Sequence, residues 1–94
     1  MVEQLWPGIT VDLAFAQLEH ITSTASAIPA ATRPRVLGAT LIPEDETLFT
    51  WCVASSIDSV RSLLITCGVR FDRVLGVVHA KPQRALSTSG RTSP

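Results

Sequence analysis

Two stretches of the chain repeat apolar residues every three or four positions, and this spacing limits the possible fold more than any other feature. The first stretch covers residues 10–27 and the second covers residues 56–67. Each places its apolar residues on one side of a helix, while polar residues such as Asp12, Glu19 and Arg61 fall outside that stripe. The sequence therefore predicts two amphipathic helices.

Capping residues mark the ends of both predicted helices. Thr10 is placed to cap the first helix, which Pro29 closes. Ser55 is placed to cap the second helix, with Asp58 three positions later as its capping-box partner. Gly68 follows the last apolar position of that helix, where a glycine commonly ends a helix.

Apolar segments before, between and after the helices predict four strands, at residues 2–6, 35–42, 47–54 and 71–79. The second and third strands flank the short acidic turn Pro43–Glu46, so we expect them to form an antiparallel hairpin. The order β-α-β-β-α-β is that of the ferredoxin-like sandwich, an α+β fold in which a four-stranded antiparallel sheet carries both helices on one face. We expect one such domain over residues 1–80 and a polar, weakly basic tail over residues 81–94.

The predicted strands are apolar on both faces, whereas a sheet with one face in water alternates apolar and polar residues. In the third strand Phe49 and Trp51 alternate with Leu48 and Cys52. Strict alternation divides the apolar residues of the second strand between the faces, with Val36 and Ile42 on one and Leu37 and Leu41 on the other. The helices cover one face. We expect a second copy of the chain to cover the other, sheet against sheet.

The charge distribution narrows the classes of partner. Residues 1–80 hold five basic and eight acidic side chains, a balance of −3, and the remaining basic residues lie in the tail. Such a domain has no general attraction to nucleic acid or to an anionic membrane. There is no apolar run of about 20 residues and no signal-peptide pattern, so we expect a cytoplasmic protein.

Three blocks of sequence resemble a known family. They are Val2-Glu3 followed by Pro7-Gly8, the Ala54…Val60-Arg61 pattern, and Gly68-Val69-Arg70-Phe71-Asp72-Arg73-Val74. From Glu3 to His79 the chain resembles a family of small bacterial proteins, well represented in actinobacteria, known as nickel-binding ferredoxin-like proteins. The resemblance implies a homodimer of ferredoxin-like subunits, with nickel as the candidate cofactor.

Two histidines are the candidate metal ligands, because divalent nickel prefers imidazole nitrogen. His20 lies beside Glu19 on the polar side of the first predicted helix, where a solvated histidine is the usual outcome. His79 ends the last predicted strand, where it could bind metal together with the same residue of a second copy. We therefore predict His79 as the stronger candidate and His20 as the weaker one.

A possible pocket is predicted around Asp72, Arg73 and Trp51. The two charged residues start the last strand, where they could form a structural pair or reach into a pocket between subunits. Trp51 could line the same pocket, although aromatic residues at such positions more often belong to a core or interface. The acidic run Glu44–Glu46 is typical of a solvated turn.

No nucleophile motif, phosphate-binding loop or cofactor fingerprint is present in the sequence. One hypothesis is a small dimeric ligand- or metal-binding protein. A second is a cofactor-free enzyme of the dimeric α+β barrel type, monooxygenase- or cyclase-like, acting in a cavity between sheet and helices. A purely structural module is the third.

Overall fold

The predicted fold is confirmed in a computed structural model, which describes residues 1–77. The elements follow the order β1 (Val2–Leu5), α1 (Val11–Ala25), β2 (Arg35–Ile42), β3 (Thr47–Val53), α2 (Ile57–Cys67) and β4 (Arg73–Val74). The four strands form one antiparallel sheet in the spatial order β2-β3-β1-β4. The predictions made for His79 and for the tail at 81–94 lie outside the described residues.

The core lies between the sheet and the helices. It is built from apolar side chains of β1, both helices and β4: Val2, Ile21, Ala25, Val60, Leu63, Leu64 and Val74. The first half of the α1 stripe is less buried than its spacing predicts, since Val11 is 57% and Phe15 61% exposed. This half of the helix lies beside β2, at the edge of the sheet, where fewer strands are available to cover it. No helix within residues 1–77 is long and apolar enough to cross a membrane.

The helix caps agree with the sequence at two of three positions. Thr10 caps α1, because the Leu13 amide donates to its Oγ1 over 3.1 Å. Gly68 ends α2 in the left-handed region, with φ at 71°. The prediction of Ser55 as the α2 cap was wrong by one residue. Ser56 has the extended backbone of a cap and accepts the Ser59 amide on its Oγ over 3.1 Å.

An irregularity in β2 corrects the predicted division of its side chains between the faces. The register between β2 and β3 shifts between Val36 and Gly38, so one extra residue is accommodated there. Val36 is paired with Cys52 and Leu41 with Leu48, which places both on the side of the helices. Strict alternation had separated these two residues. A β-bulge resets the period of two, and alternation counted across it fails.

Within residues 1–77 strand β4 covers Arg73–Val74, although the sequence predicts a strand from residue 71, and residues 78–79 of that prediction lie outside the described residues. The Asp72 side chain explains where the ladder begins. The Asp72 amide donates to the Glu3 carbonyl oxygen over 2.9 Å. The Leu5 amide donates to Asp72 Oδ2 over 2.5 Å, so this carboxylate occupies a backbone donor of β1 that a longer β4 would have used. Ladder pairing then covers Arg73 and Val74, opposite Glu3 and Val2.

Candidate functional site

The sheet face opposite the helices, called the open face below, combines apolar side chains with one ion pair. Residues opposite one another in neighbouring strands share a face, and the register places Thr40, Phe49, Glu3 and Arg73 in one row across all four strands. Apolar residues surround this row: Leu5, Leu37, Ile42, Trp51 and Val53. Among residues 1–77 no element covers this face.

Arg73 is already paired on the open face. Its Nη2 lies 2.6 Å from Glu3 Oε1, and its Nε donates to the same oxygen over 2.7 Å. Asp72 accepts the Leu5 amide and receives a longer contact, 3.5 Å, from Arg70 Nη1. Arg73 thus connects β4 to β1. Asp72 connects the segment between α2 and β4 to the end of β1. Asp72 and Arg73 are not paired with each other, which was one of the two alternatives from the sequence; each has a separate partner within the same chain.

Trp51 lies in the wall of a cavity on the open face, next to the β2 bulge. The cavity has a volume of about 580 Å³ and is lined by Leu37, Gly38, Ala39, Trp51, Cys52, Val53 and Val77. None of these side chains is charged, and neither Asp72 nor Arg73 belongs to the lining. The Trp51 indole Nε1 donates to Thr40 Oγ1 over 3.2 Å, which fixes the ring beside the cavity. The structure therefore separates Trp51 from the two charged residues that the sequence grouped with it.

Cys52 borders this cavity only through its position in β3, because its side chain lies on the side of the strand that faces the helices, packed against the core. Burial raises the pKa of the Cys52 thiol, because the thiolate would lose its hydration there. The positive charge of the chain's amino terminus opposes this effect but does not cancel it. Cys52 is therefore poorly suited to act as a nucleophile or as a thiolate metal ligand near neutral pH.

A second, polar cavity lies under the helices, and the sequence did not predict it. Its volume is about 250 Å³ and it is lined by Gln4, Trp6, Gln17, His20, Cys67, Gly68, Val69 and Arg70. Gln4 is only 4% exposed and exchanges two hydrogen bonds with Gln17, while its Nε2 also donates to the Arg70 carbonyl oxygen over 2.6 Å. The available signal was the position of Gln4 two residues after Val2, which places its amide on the same inward face of β1 as that apolar residue.

His20 lies at the rim of this polar cavity, exposed on α1 as its position in the sequence predicts. Its Nε2 donates to the Cys67 carbonyl oxygen over 2.9 Å, so it connects α1 to the end of α2. Within residues 1–77 no group of three or more His, Cys, Asp and Glu side chains is placed to hold a metal ion. The described side chains do not fit a nickel centre by themselves.

Comparisons of the chain with protein-family models, with curated proteins and with solved structures each gave no match. The family resemblance therefore stays an expectation. The geometry of the open face and of its cavity is the basis for assigning a function.

Proposed function

We propose that the protein is a homodimeric binding module for a small, predominantly apolar ligand, formed when the open faces of two copies meet. The observation that supports this most directly is the cavity of about 580 Å³ beside Trp51. Ligand sites in proteins generally measure about 300–1,000 Å³ and have mostly apolar linings. An uncharged wall built from aliphatic side chains and one indole ring fits an apolar molecule better than an anion or a metal ion.

The composition of the open face supports dimerisation through it. Leu5, Leu37 and Val53 are each exposed by about half, at 53%, 56% and 48%. Trp51 lies among them, and buried aromatic side chains at the centre of a contact contribute strongly to association. The Glu3–Arg73 pair would be buried already neutralised, which avoids the large cost of burying an unpaired charge. A second copy also closes the cavity, which is open to solvent in one chain.

The oligomeric state tests the dimer. Analytical ultracentrifugation of the full-length, tag-free chain should show that Leu5→Glu and Trp51→Glu each halve the particle mass. Ile65→Glu is the matched control, since Ile65 is 71% exposed on α2, away from the open face. A monomeric unmodified protein, or an unchanged mass for both open-face variants, would contradict the proposal. Circular dichroism confirms that each variant is folded.

Ligand binding is tested with a neutral fluorescent probe, N-phenyl-1-naphthylamine. The Trp6→Phe variant leaves Trp51 as the indole donor, so energy transfer to the bound probe reports binding next to Trp51. Val53→Glu in the same background places a charge in the cavity wall and should weaken probe binding at least tenfold. Equal transfer with and without that charge would mean that the probe binds elsewhere.

Nickel binding is a second proposal, and it rests on His79 together with the family resemblance. Elemental analysis of tag-free protein measures whether nickel is present. If a specific site exists, His79→Ala should abolish it and His20→Ala should leave it nearly intact, because the His20 Nε2 already bonds the Cys67 carbonyl oxygen. The reverse result would move the site to the surface of α1. The enzyme hypothesis called for a closed polar cavity holding Arg73, His79 or Asp72. Neither Arg73 nor Asp72 lines the cavity beside Trp51 or the polar cavity, and His79 lies outside the described residues.

A cytoplasmic location belongs to the same set of proposals. Cys52 and Cys67 are both free, which is the usual state of cysteines in a reducing compartment.

A further inference from the structure

Strand β2 forms one edge of the sheet within the described part of the chain, and its sequence does little to block further pairing. It is eight residues long, and Arg35 at its start is its one charged residue. Natural edge strands are commonly protected by lysine, proline, inward-pointing charges or a bulge. Here the bulge lies near the beginning, between Val36 and Gly38, so the five residues from Gly38 to Ile42 form a regular, uncharged edge.

An apolar groove runs beside this edge, between β2 and α1. It has a volume of about 190 Å³ and is lined by Val11, Ala14, Phe15, Leu18, Ala39, Leu41 and Leu48. Phe15 and Val11 stay more than half exposed at its rim, although their spacing is that of core residues. A strand added to β2 would place every second side chain next to Ala39 and Leu41. Phe15 and Val11 of α1 could then cover those side chains.

The β2 strand of a second copy can pair with this uncharged edge and place apolar side chains in the groove, if the two strands run antiparallel about a two-fold axis at Thr40. Gly38 then lies opposite Ile42 of the partner subunit, and Ala39 opposite Leu41 of the partner subunit. Directly opposed residues share a face in such a ladder, and each of these pairs already does so in one chain. The regular edge segment is therefore complementary to itself, as a two-fold interface demands.

The charges beyond the regular segment favour the same arrangement. In this register Arg35 lies just beyond one end of the regular segment, at the same end as the acidic turn of the partner subunit, which follows Ile42 as a short 3-10 helix, Pro43–Asp45. Glu44 and Asp45 are exposed, and so is Arg35. None of the three takes part in an ion pair within residues 1–77. The two-fold axis generates this contact twice, once at each end of the paired strands.

We propose that a second copy of the chain docks on the β2 edge, extending the sheet across both copies, with Arg35 facing the acidic turn of its partner. This surface differs from the open face. Used together, the two contacts assemble a tetramer; the edge contact alone gives a dimer. The acidic turn, which the sequence marks as a solvated loop, becomes the element that selects the antiparallel register.

Charge reversal and mixing test the proposal on the full-length, tag-free chain. Arg35→Glu, and separately the double variant Glu44→Arg with Asp45→Arg, should each weaken the edge contact at least tenfold in sedimentation equilibrium. Mixing equal amounts of the two variants should restore association as a heteromer, because every edge contact again joins opposite charges. Native mass spectrometry identifies that heteromer by its mass. Arg61→Glu on α2 is the matched control and should change nothing.

The outcomes separate this contact from the open-face dimer. Loss of association in the charge variants but not in Leu5→Glu supports the edge contact and overturns the open-face dimer. Loss of association in Leu5→Glu but not in the charge variants supports the open-face dimer and overturns the edge contact. Failure of the mixed variants to associate overturns the edge contact even if each variant alone is monomeric. A monomeric unmodified chain also overturns it.

Discussion

At the scale of single residues, Gln4 is a buried polar side chain of the described part of the chain whose amide needs several hydrogen-bond partners. It sits on the core side of β1 and satisfies its hydrogen bonds through Gln17 and the Arg70 carbonyl oxygen. A buried polar group with its partners in place costs little. The same partners become expensive when one of them is removed.

We predict that Gln4→Ala lowers the free energy of unfolding by about 1–3 kcal/mol, because the Gln17 amide and the Arg70 carbonyl lose a buried partner. Gln17→Ala should cost less, since Gln17 is only half-buried. Urea unfolding of both single variants and of the double variant measures their coupling. We expect a coupling of about 0.5–3 kcal/mol for residues that share hydrogen bonds. Additive effects would show that the amide pair contributes nothing of its own.

A second prediction at this scale concerns Cys52. Burial raises the pKa of its thiol, so at any pH below that value the thiolate fraction is smaller than in an ordinary cysteine. In a Cys67→Ser background, alkylation of Cys52 by iodoacetamide should therefore be slow at neutral pH and accelerate only at alkaline pH. The pH of half-maximal rate should return to that of a free cysteine when urea unfolds the chain. Identical profiles for folded and unfolded protein would contradict it.

At the scale of elements, helix periodicity and capping residues were sufficient to place both helices, because those signals are local. The strands were harder to bound. The bulge in β2 depends on how Leu37 and Gly38 meet Trp51 of another strand, and no period within β2 records that contact. The start of the β4 ladder depends on the Asp72 carboxylate reaching the Leu5 amide, a contact between residues 67 positions apart.

The cap of α2 offers a prediction with a built-in control, because Ser55 and Ser56 are adjacent and both exposed. Ser56→Ala removes the side-chain acceptor of the Ser59 amide, which should lower the free energy of unfolding by about 1 kcal/mol. Ser55→Ala should leave stability within about 0.5 kcal/mol of the unmodified protein, as is usual for a surface substitution. Thermal or urea unfolding of the two variants makes the comparison. Equal effects would mean that the cap is shared between the serines.

At the scale of the whole molecule, the sequence predicted the fold but only part of the candidate site. The order of elements and the two apolar faces of β3 follow from patterns that one chain contains. The cavity beside Trp51 does not, since it is formed by β2, β3 and Val77, residues that come together only in the folded chain. Likewise, the spacing of Phe15 predicted a buried residue, and the position of α1 beside an edge strand left it exposed.

The two proposed contacts differ in chemistry, and salt should separate them. The open-face contact is mostly apolar, and its one ion pair, Glu3–Arg73, is already formed within each chain. The edge contact depends on Arg35 and the acidic turn meeting at an exposed boundary. Raising the ionic strength from 0.1 M to 1 M shortens the Debye length from about 10 Å to about 3 Å, so exposed charges across a contact attract each other much less.

We predict that the unmodified protein is a tetramer at 0.1 M sodium chloride and a dimer at 1 M, as measured by sedimentation equilibrium. The dimer that persists at high salt should become monomeric with Leu5→Glu, because burial of apolar surface holds it together. Arg35→Glu should already be dimeric at 0.1 M and should not respond to salt. A particle mass that is the same at both salt concentrations would mean that charge does not hold the β2 edges together. That result would leave the open-face contact unaffected, because its stability does not depend on charge.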